Sequence, residues 1–217
     1  PYKTINHALS IADEGETLTL RGGTYTEEVR IRKPNITIRS KTGERAKVIQ
    51  PLTGGGGVTI SVEPFADGAT LQGLEIEGGY EYGVMVKTAW EYGDHLTLEQ
   101  RMGATHVTIE DCIIHDTGRD GIKLTPQSDF AVIRRNEIFN TGMRDSGNAD
   151  GIDNVNSDNV LIQDNYIHDI ATNGLYCKGG ATRCIVERNR VERTGAGGIL
   201  IGFDTSPEYF DTETNPL

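Results

Sequence analysis

Four segments in the second half of the chain share one template: VTIEDCIIHDTG from Val107, AVIRRNEIFNTG from Ala131, VLIQDNYIHDIA from Val160 and CIVERNRVERTG from Cys184. The matching positions Ile109, Ile133, Ile162 and Val186 recur after 24, 29 and 24 residues. A period in this range marks a solenoid, in which each unit buries its apolar face only against its neighbours. Each segment is followed by a second short apolar strand: GIKL at Gly121, GIDNV at Gly151, GLYCK at Gly174 and GILIG at Gly198. Apolar and polar residues alternate and the helical period is missing, so the units consist of strands and turns. Such units stack most simply as an all-β parallel β-helix solenoid, each strand pairing with its equivalent in the next coil.

The sixth template position reads Cys112, Asn136, Asn165 and Asn189. Asparagines stacked at one corner can hydrogen-bond from coil to coil and satisfy the buried backbone there. The first half follows the same plan with less regularity. Residues 4–12 place Ile5, Ala8, Leu9 and Ala12 on one helical face, with Gly15 as a stop, which predicts an N-terminal capping α-helix. Strand-like pieces follow at 18–20, 29–31, 36–40, 47–49, 58–62 and 71–79; the GGGG run at 54–57 reads as a turn. One domain is expected over 1–217, with the cap in 1–15, irregular early coils in 16–106, regular coils in 107–202 and a loop in 203–217. The last segment, FDTSPEYFDTETNPL, has no polar cap for a terminal coil, so the natural protein is expected to continue beyond it.

With 21 basic and 32 acidic residues the net charge is −11, which argues against non-specific binding to nucleic acid or an anionic membrane. A polyanionic partner would need a local cationic site. No apolar run reaches the length of a membrane span, about 18 residues. The chain starts at Pro1, without Met, and the expectation is a secreted or periplasmic monomer whose signal peptide has been removed. Cys112, Cys177 and Cys184 are too few for a disulfide scaffold, although Cys177 and Cys184 are near enough in sequence to bridge.

In each second strand the residue after the glycine points inward and its neighbours outward. Stacking therefore aligns Lys123, Asp153, Tyr176 and Leu200 in one outward row and Thr125, Val155, Lys178 and Gly202 in the next. Asp120, Asp150 and Asn173 form a third row at the strand entrance. Strands one coil apart are about 4.8 Å apart, so Asp120, Asp150, Asp153, Lys123 and Lys178 should converge. The one longer coil carries the extra segment MRDSGNA, 143–149, from which Arg144 and Asp145 could overhang the patch. Plainer readings stand beside this one. Asp before Gly is a common turn pair, and Lys178 before two glycines suits a solvated turn. His115, Phe139 and His168 suit a surface stack, and Arg183, Arg188 and Arg190 either a solvated face or a basic flank. Tyr80, Tyr82, Trp90 and Tyr92 form a separate aromatic stretch that could line a groove.

Three carboxylates at this spacing suit Ca²⁺, which takes 6 to 8 oxygen ligands. A neighbouring neutral lysine could abstract the C5 proton of a uronic acid whose carboxylate the metal neutralises. Loss of the O4 substituent would cleave the glycan by β-elimination, and reprotonation from the opposite face would make the protein a C5-epimerase.

The opening PYKTINHALSIADEGETLTLRGGTY resembles the cap and first strands of secreted β-helix carbohydrate enzymes, and that resemblance implies a right-handed coil. Asp120, Asp150 and Asp153 followed by Lys178 resemble the calcium-plus-lysine site of the family nine pectate lyases. The resemblance implies the three aspartates as calcium ligands and Lys178 as Brønsted base, in a polysaccharide lyase acting on an acidic polysaccharide. Lys123, Tyr176, Asn173 and Arg144 are then candidates for substrate binding. The sequence departs from that pattern at Ala149, where a second acid would stand. NGLYCKGG with GAGGILIG also resembles the lysine strand of the family six alginate and chondroitin lyases, which carry an arginine on the next coil where this chain has Gly202. NADGID resembles the NTDG-type motif of the polygalacturonases, which hydrolyse with paired carboxylates. A glycoside hydrolase and a non-catalytic glycan-binding or adhesion β-helix are the rival expectations.

Overall fold

The computed structural model describes residues 2–55, 57–89, 103–202, 205, 206 and 209; Trp90 and Tyr92 lie outside them. The cap is α1 (Ile5–Ile11), begun by Thr4, whose hydroxyl accepts from the His7 N–H at 3.3 Å. The Glu27 carboxylate takes the N–H groups of Ile5 and Asn6 at 2.7 and 2.9 Å, donors that a helix start leaves without partners. Ile5 and Leu9, one turn apart, are buried, so the helix covers the apolar end of the solenoid as expected.

Among the described residues, seven coils of three strands follow. They are β1 (Thr17–Leu20), β2 (Gly23–Thr26), β3 (Val29–Ile31); β4 (Thr37–Ser40), β5 (Ala46–Gln50), β6 (Ile60–Val62); and β7 (Thr70–Gln72), β8 (Glu75–Gly78), β9 (Val84–Val86). Next come β10 (Thr108–Glu110), β11 (Ile113–His115), β12 (Ile122–Leu124); β13 (Val132–Arg134), β14 (Glu137–Phe139), β15 (Ile152–Val155); β16 (Leu161–Gln163), β17 (Tyr166–Ile170), β18 (Leu175–Lys178); and β19 (Ile185–Glu187), β20 (Arg190–Thr194), β21 (Ile199–Ile201). Every third strand belongs to the same sheet, which gives three seven-stranded sheets whose pairings are all parallel.

The repeat sets the register: Ile109 pairs with Ile133, Ile133 with Ile162 and Ile162 with Val186. The row continues backward through Leu71, Ile38 and Leu18, although the intervals there are 38, 33 and 20 residues. The early coils are thus irregular in length and regular in pairing, because the turns outside the sheets absorb the difference. Inward residues such as Ile38, Leu71, Ile133 and Ile162 are fully buried in one continuous core, each contributing about 1.5–3 kcal/mol of apolar burial. Alternation does not single out β2 and β9. The first is a short, largely exposed GTYT; in the second the outward Met85 is covered by Val58 and Tyr82, so all three residues are buried.

The asparagine ladder forms at the predicted corner. The amide oxygen of Asn165 accepts from the backbone N–H and the side-chain amide of Asn136 at 3.0 Å, and that of Asn189 repeats the pattern one coil on at 3.0 and 2.9 Å. The rings of His115, Phe139 and His168 stack at 4.9 and 5.1 Å with nearly parallel planes. Arg183, Arg188 and Arg190 pair with Asp158, Asp164 and Glu192 at 2.8, 2.9 and 2.6 Å, a solvated and internally neutralised face. Cys177 and Cys184 are both free thiols. The Asn154 side-chain amide donates to the Cys184 sulfur at 3.3 Å and lies 4.0 Å from that of Cys177. Among the described residues no helix is long and apolar enough to cross a membrane.

Candidate functional site

The site lies on the outer face of the sheet formed by β3, β6, β9, β12, β15, β18 and β21. Its rows follow from register: Lys123 pairs with Asp153, Asp153 with Tyr176, and Val155 with Lys178. Gly151 sets the turn into β15. A Cβ there would stand 2.5 Å from the Gly174 carbonyl oxygen and 2.6 Å from the Ile167 side chain, so only glycine lets the two backbones approach. The glycine of Asp150-Gly-Ile-Asp153 is therefore structural, and the carboxylates on either side are carried to one point.

Asp120 and Asp153 are completely buried and Asp150 nearly so, and one carboxylate oxygen from each lies within 4.8 Å of the others. Asp150 is held tightly: one oxygen accepts from the Thr172 hydroxyl at 2.6 Å, the Asn173 backbone N–H at 3.0 Å and the Asn173 side-chain amide at 2.9 Å. Asp120 accepts from the Asp150 N–H at 2.8 Å through one oxygen. Its other oxygen, and one oxygen of Asp153, accept no hydrogen bond although buried. The remaining Asp153 oxygen contacts the Lys123 ammonium and lies 3.2 Å from that of Lys178. Lys123 is also 3.5 Å from Asp120.

Burial pushes the Asp120 carboxyl up to about 7; the charges of Asp153 and Asp150 add to the rise and that of Lys123 opposes it. Burial works against the charge of Lys123 as well, but the attraction of Asp153 and Asp120 outweighs it and raises its value. Desolvation likewise pushes the Tyr82 phenol up to about 12, so it stays protonated.

The two lysines stand between the carboxylates and a cavity of about 650 Å³. Arg30, Lys87, Arg119, Lys123 and Lys178 line it, against Glu28 and Glu81. All five have acidic partners, Arg30 in Glu28, Lys87 in Glu63, Arg119 in Asp145 and both lysines in Asp153, so the wall presents basic groups that are already ion-paired. Tyr176 is buried beneath Lys178, whose ammonium sits 4.6 Å from the ring centroid. Asn173 is a strut, its amide donating to Asp150 and its oxygen accepting from the Gly197 N–H at 3.0 Å. Segment 143–149 does fold back over the preceding coils, Met143 and Arg144 donating to the carbonyls of Thr117 and Gly118. The Arg144 side chain turns to Tyr80, donating to its carbonyl at 2.7 Å and lying 4.0 Å above its ring. From this segment it is Asn148, not Arg144, that reaches the cavity wall.

Tyr82, expected in an aromatic stretch that could line a groove, lines this cavity, and the sequence reading did not single out Arg119 and Lys87. A signal existed: GVMVK at 83–87 matches GIKLT at 121–125, and Val84 pairs with Ile122. That match puts Tyr82 in the row of Asp120 and Lys87 in the row of Thr125 and Lys178.

The carboxylates are spaced to hold a cation, and two buried oxygens without donors suit one. A cation, the ammonium of Lys123, already stands there. Two unit charges of like sign about 4 Å apart repel by about 4 kcal/mol at an effective dielectric constant of about 20, and a divalent ion doubles that. One Asp150 oxygen is taken by three hydrogen-bond donors, so any calcium held by these aspartates would complete its 6 to 8 oxygens with water. With Lys123 in place these residues do not fit calcium.

Three stacked parallel sheets around one apolar core, with a polar cleft on one face, define a parallel β-helix. Residues 12–144 and 100–210 match the family model described as right handed beta helix region, and the chain belongs to that family. No curated protein matches it. Among solved structures it is similar to the alginate lyase from Paenibacillus sp. str. FPU-7, with 22% identity and a TM-score of 0.72 over 91% of this chain and 71% of that one. It is also similar to pectate lyase Pel9A, with 16% identity and a TM-score of 0.69 over 88% of this chain and 48% of that one. A third is the GH87 α-1,3-glucanase catalytic unit from Streptomyces thermodiastaticus strain HF3-3, at 17% and 0.58, over 90% of this chain and 36% of that one. The chain thus spans about half the length of the pectate lyase and about a third of the glucanase. At these identities the likeness is one of fold, and β-helices host unrelated chemistries.

Proposed function

We infer that this protein is a polysaccharide lyase that cleaves a uronic-acid-containing glycan by β-elimination, with Lys178 as the base. The observation that carries the reading is the convergence of Lys178, Lys123 and Arg119 in one cavity above buried carboxylates, on an otherwise acidic chain. The names of two similar structures, an alginate lyase and a pectate lyase, are consistent with it. The fold and substrate class also suit a secreted or periplasmic protein.

In this reading the cations of Lys123 and Arg119 bind the uronate carboxylate and stabilise the charge that develops on it as C5 loses its proton. Lys178, as the free amine, accepts that proton. The C5–H electron pair forms the C4=C5 double bond, the C4–O4 bond breaks, and the departing oxygen takes a proton from water. Asp153 positions both lysines through one oxygen, and Asn173 and Thr172 fix Asp150 beneath them. The calcium that the resemblance implies has no step here, because Lys123 stands among its would-be ligands. Hydrolysis by paired carboxylates has less support. An inverting pair needs about 6.5–9.5 Å and a retaining pair about 5–5.5 Å, whereas these oxygens lie within 4.8 Å and are shielded by lysines.

The test is ultraviolet absorbance during incubation with a panel of polyuronates, with reducing ends and uronate composition measured in parallel. The lyase reading predicts a rising near-ultraviolet signal from the unsaturated product. Reducing ends without absorbance would establish hydrolysis, changed uronate composition without cleavage an epimerase, and glycan retention without either a binding module.

A further inference from the structure

We propose that the ammonium of Lys123 is the resident cation of the Asp120, Asp150 and Asp153 cluster, so that the site takes no divalent metal while Lys123 is present and becomes a calcium site when its charge is removed. The inference concerns the same site as the lyase reading but rests on the geometry of the cluster alone.

Three observations converge. Asp120 and Asp153 are completely buried, and each has an oxygen that accepts no hydrogen bond, which leaves a carboxylate cluster in need of a counter-charge. Lys123 meets that need by construction. It pairs with Asp153 in register, follows Asp120 by three residues, and lays its ammonium against one and 3.5 Å from the other. Its side chain is only 15% exposed, so it is built into the site. The geometry supports the same conclusion. A divalent ion entering the cluster would share the Asp120 and Asp153 oxygens with the Lys123 ammonium, whereas without that ammonium it would meet the carboxylates alone. A lysine here thus does for the aspartates what a metal would do, and the same row of the solenoid can hold either one.

The test is calcium binding by isothermal titration and by terbium luminescence on the protein without glycan, at about pH 8, where carboxylates are ionised. Wild type should show no saturable binding up to about 1 mM, the weak end for extracellular calcium modules. Lys123→Met should bind one ion per chain, and adding Asp153→Asn should abolish it. Lys123→Arg, which keeps the charge, should stay without metal. Saturable binding by wild type that Asp153→Asn removes would overturn the proposal, and that arm needs no Lys123 variant to fold. A Lys123→Met protein with native circular dichroism that binds no ion would overturn it too. Because no substrate is present, failure here leaves the absorbance assay to judge the lyase reading separately.

Discussion

Asp153 holds two ammonium groups on one oxygen, inside a sheet where burial alone would expel an isolated charge. Lys123 is also 3.5 Å from a second acid, Asp120, whose carboxyl burial pushes up to about 7. The folded-state value of Asp120 lies above its unfolded value of 3.8, so the protonated form favours the fold. The cost of ionising it is absent below about pH 4, grows between about pH 4 and 7, and is complete above that window. Asp120→Asn should therefore stabilise the protein at about pH 8 relative to pH 4, by on the order of 2–4 kcal/mol. Denaturant midpoints measured across pH for both proteins check this; a difference that does not change with pH would contradict it.

The corner ladder and the strand-entrance glycines carry the architecture. Asn165 accepts twice from Asn136 and donates to the Ile133 carbonyl at 3.0 Å, all in the interior. Asn165→Ala strands these groups, and each unsatisfied buried partner costs about 1–3 kcal/mol, so chemical denaturation should show a loss of several kcal/mol. Gly151→Ala places a methyl 2.5 Å from a carbonyl oxygen and should cost more than about 2 kcal/mol. Both elements were legible in the sequence, because a residue that must recur at one corner of every coil leaves its mark at a fixed interval. What was not legible depended on unequal coils. Tyr82 shares the row of Asp120, yet the intervals around it differ from those of the regular coils, so its place rests on the short match of GVMVK to GIKLT, which the pairing of Val84 with Ile122 bears out. Arg144 was misdirected for a related reason. Periodicity places strand residues but not an inserted loop, and this one closes on Tyr80 through a ring contact and a carbonyl.

Across the whole molecule, charge is paired. Asp–Arg pairs lie on the outer surface, such as Arg135 with Asp111 and Arg193 with Asp169, and the five basic side chains that line the cavity have acidic partners in Glu28, Glu63, Asp145 and Asp153. Exposed pairs of this kind are worth little individually, so on the lyase reading a uronate carboxylate competes with the acids for the cationic groups of the cleft. Polyuronate affinity should then fall with added salt, since screening shortens to about 8 Å at 0.15 M and about 3 Å at 1 M, and affinity electrophoresis would read it. The most direct measurement of the central claim is the initial rate of ultraviolet absorbance for Lys178→Ala against wild type, on whichever polyuronate wild type turns over. Loss of a general base predicts a fall of about 10²–10⁴-fold in kcat with polymer affinity kept within a few-fold. A variant that retains a rate within about tenfold of wild type would contradict the assignment of Lys178 as the base.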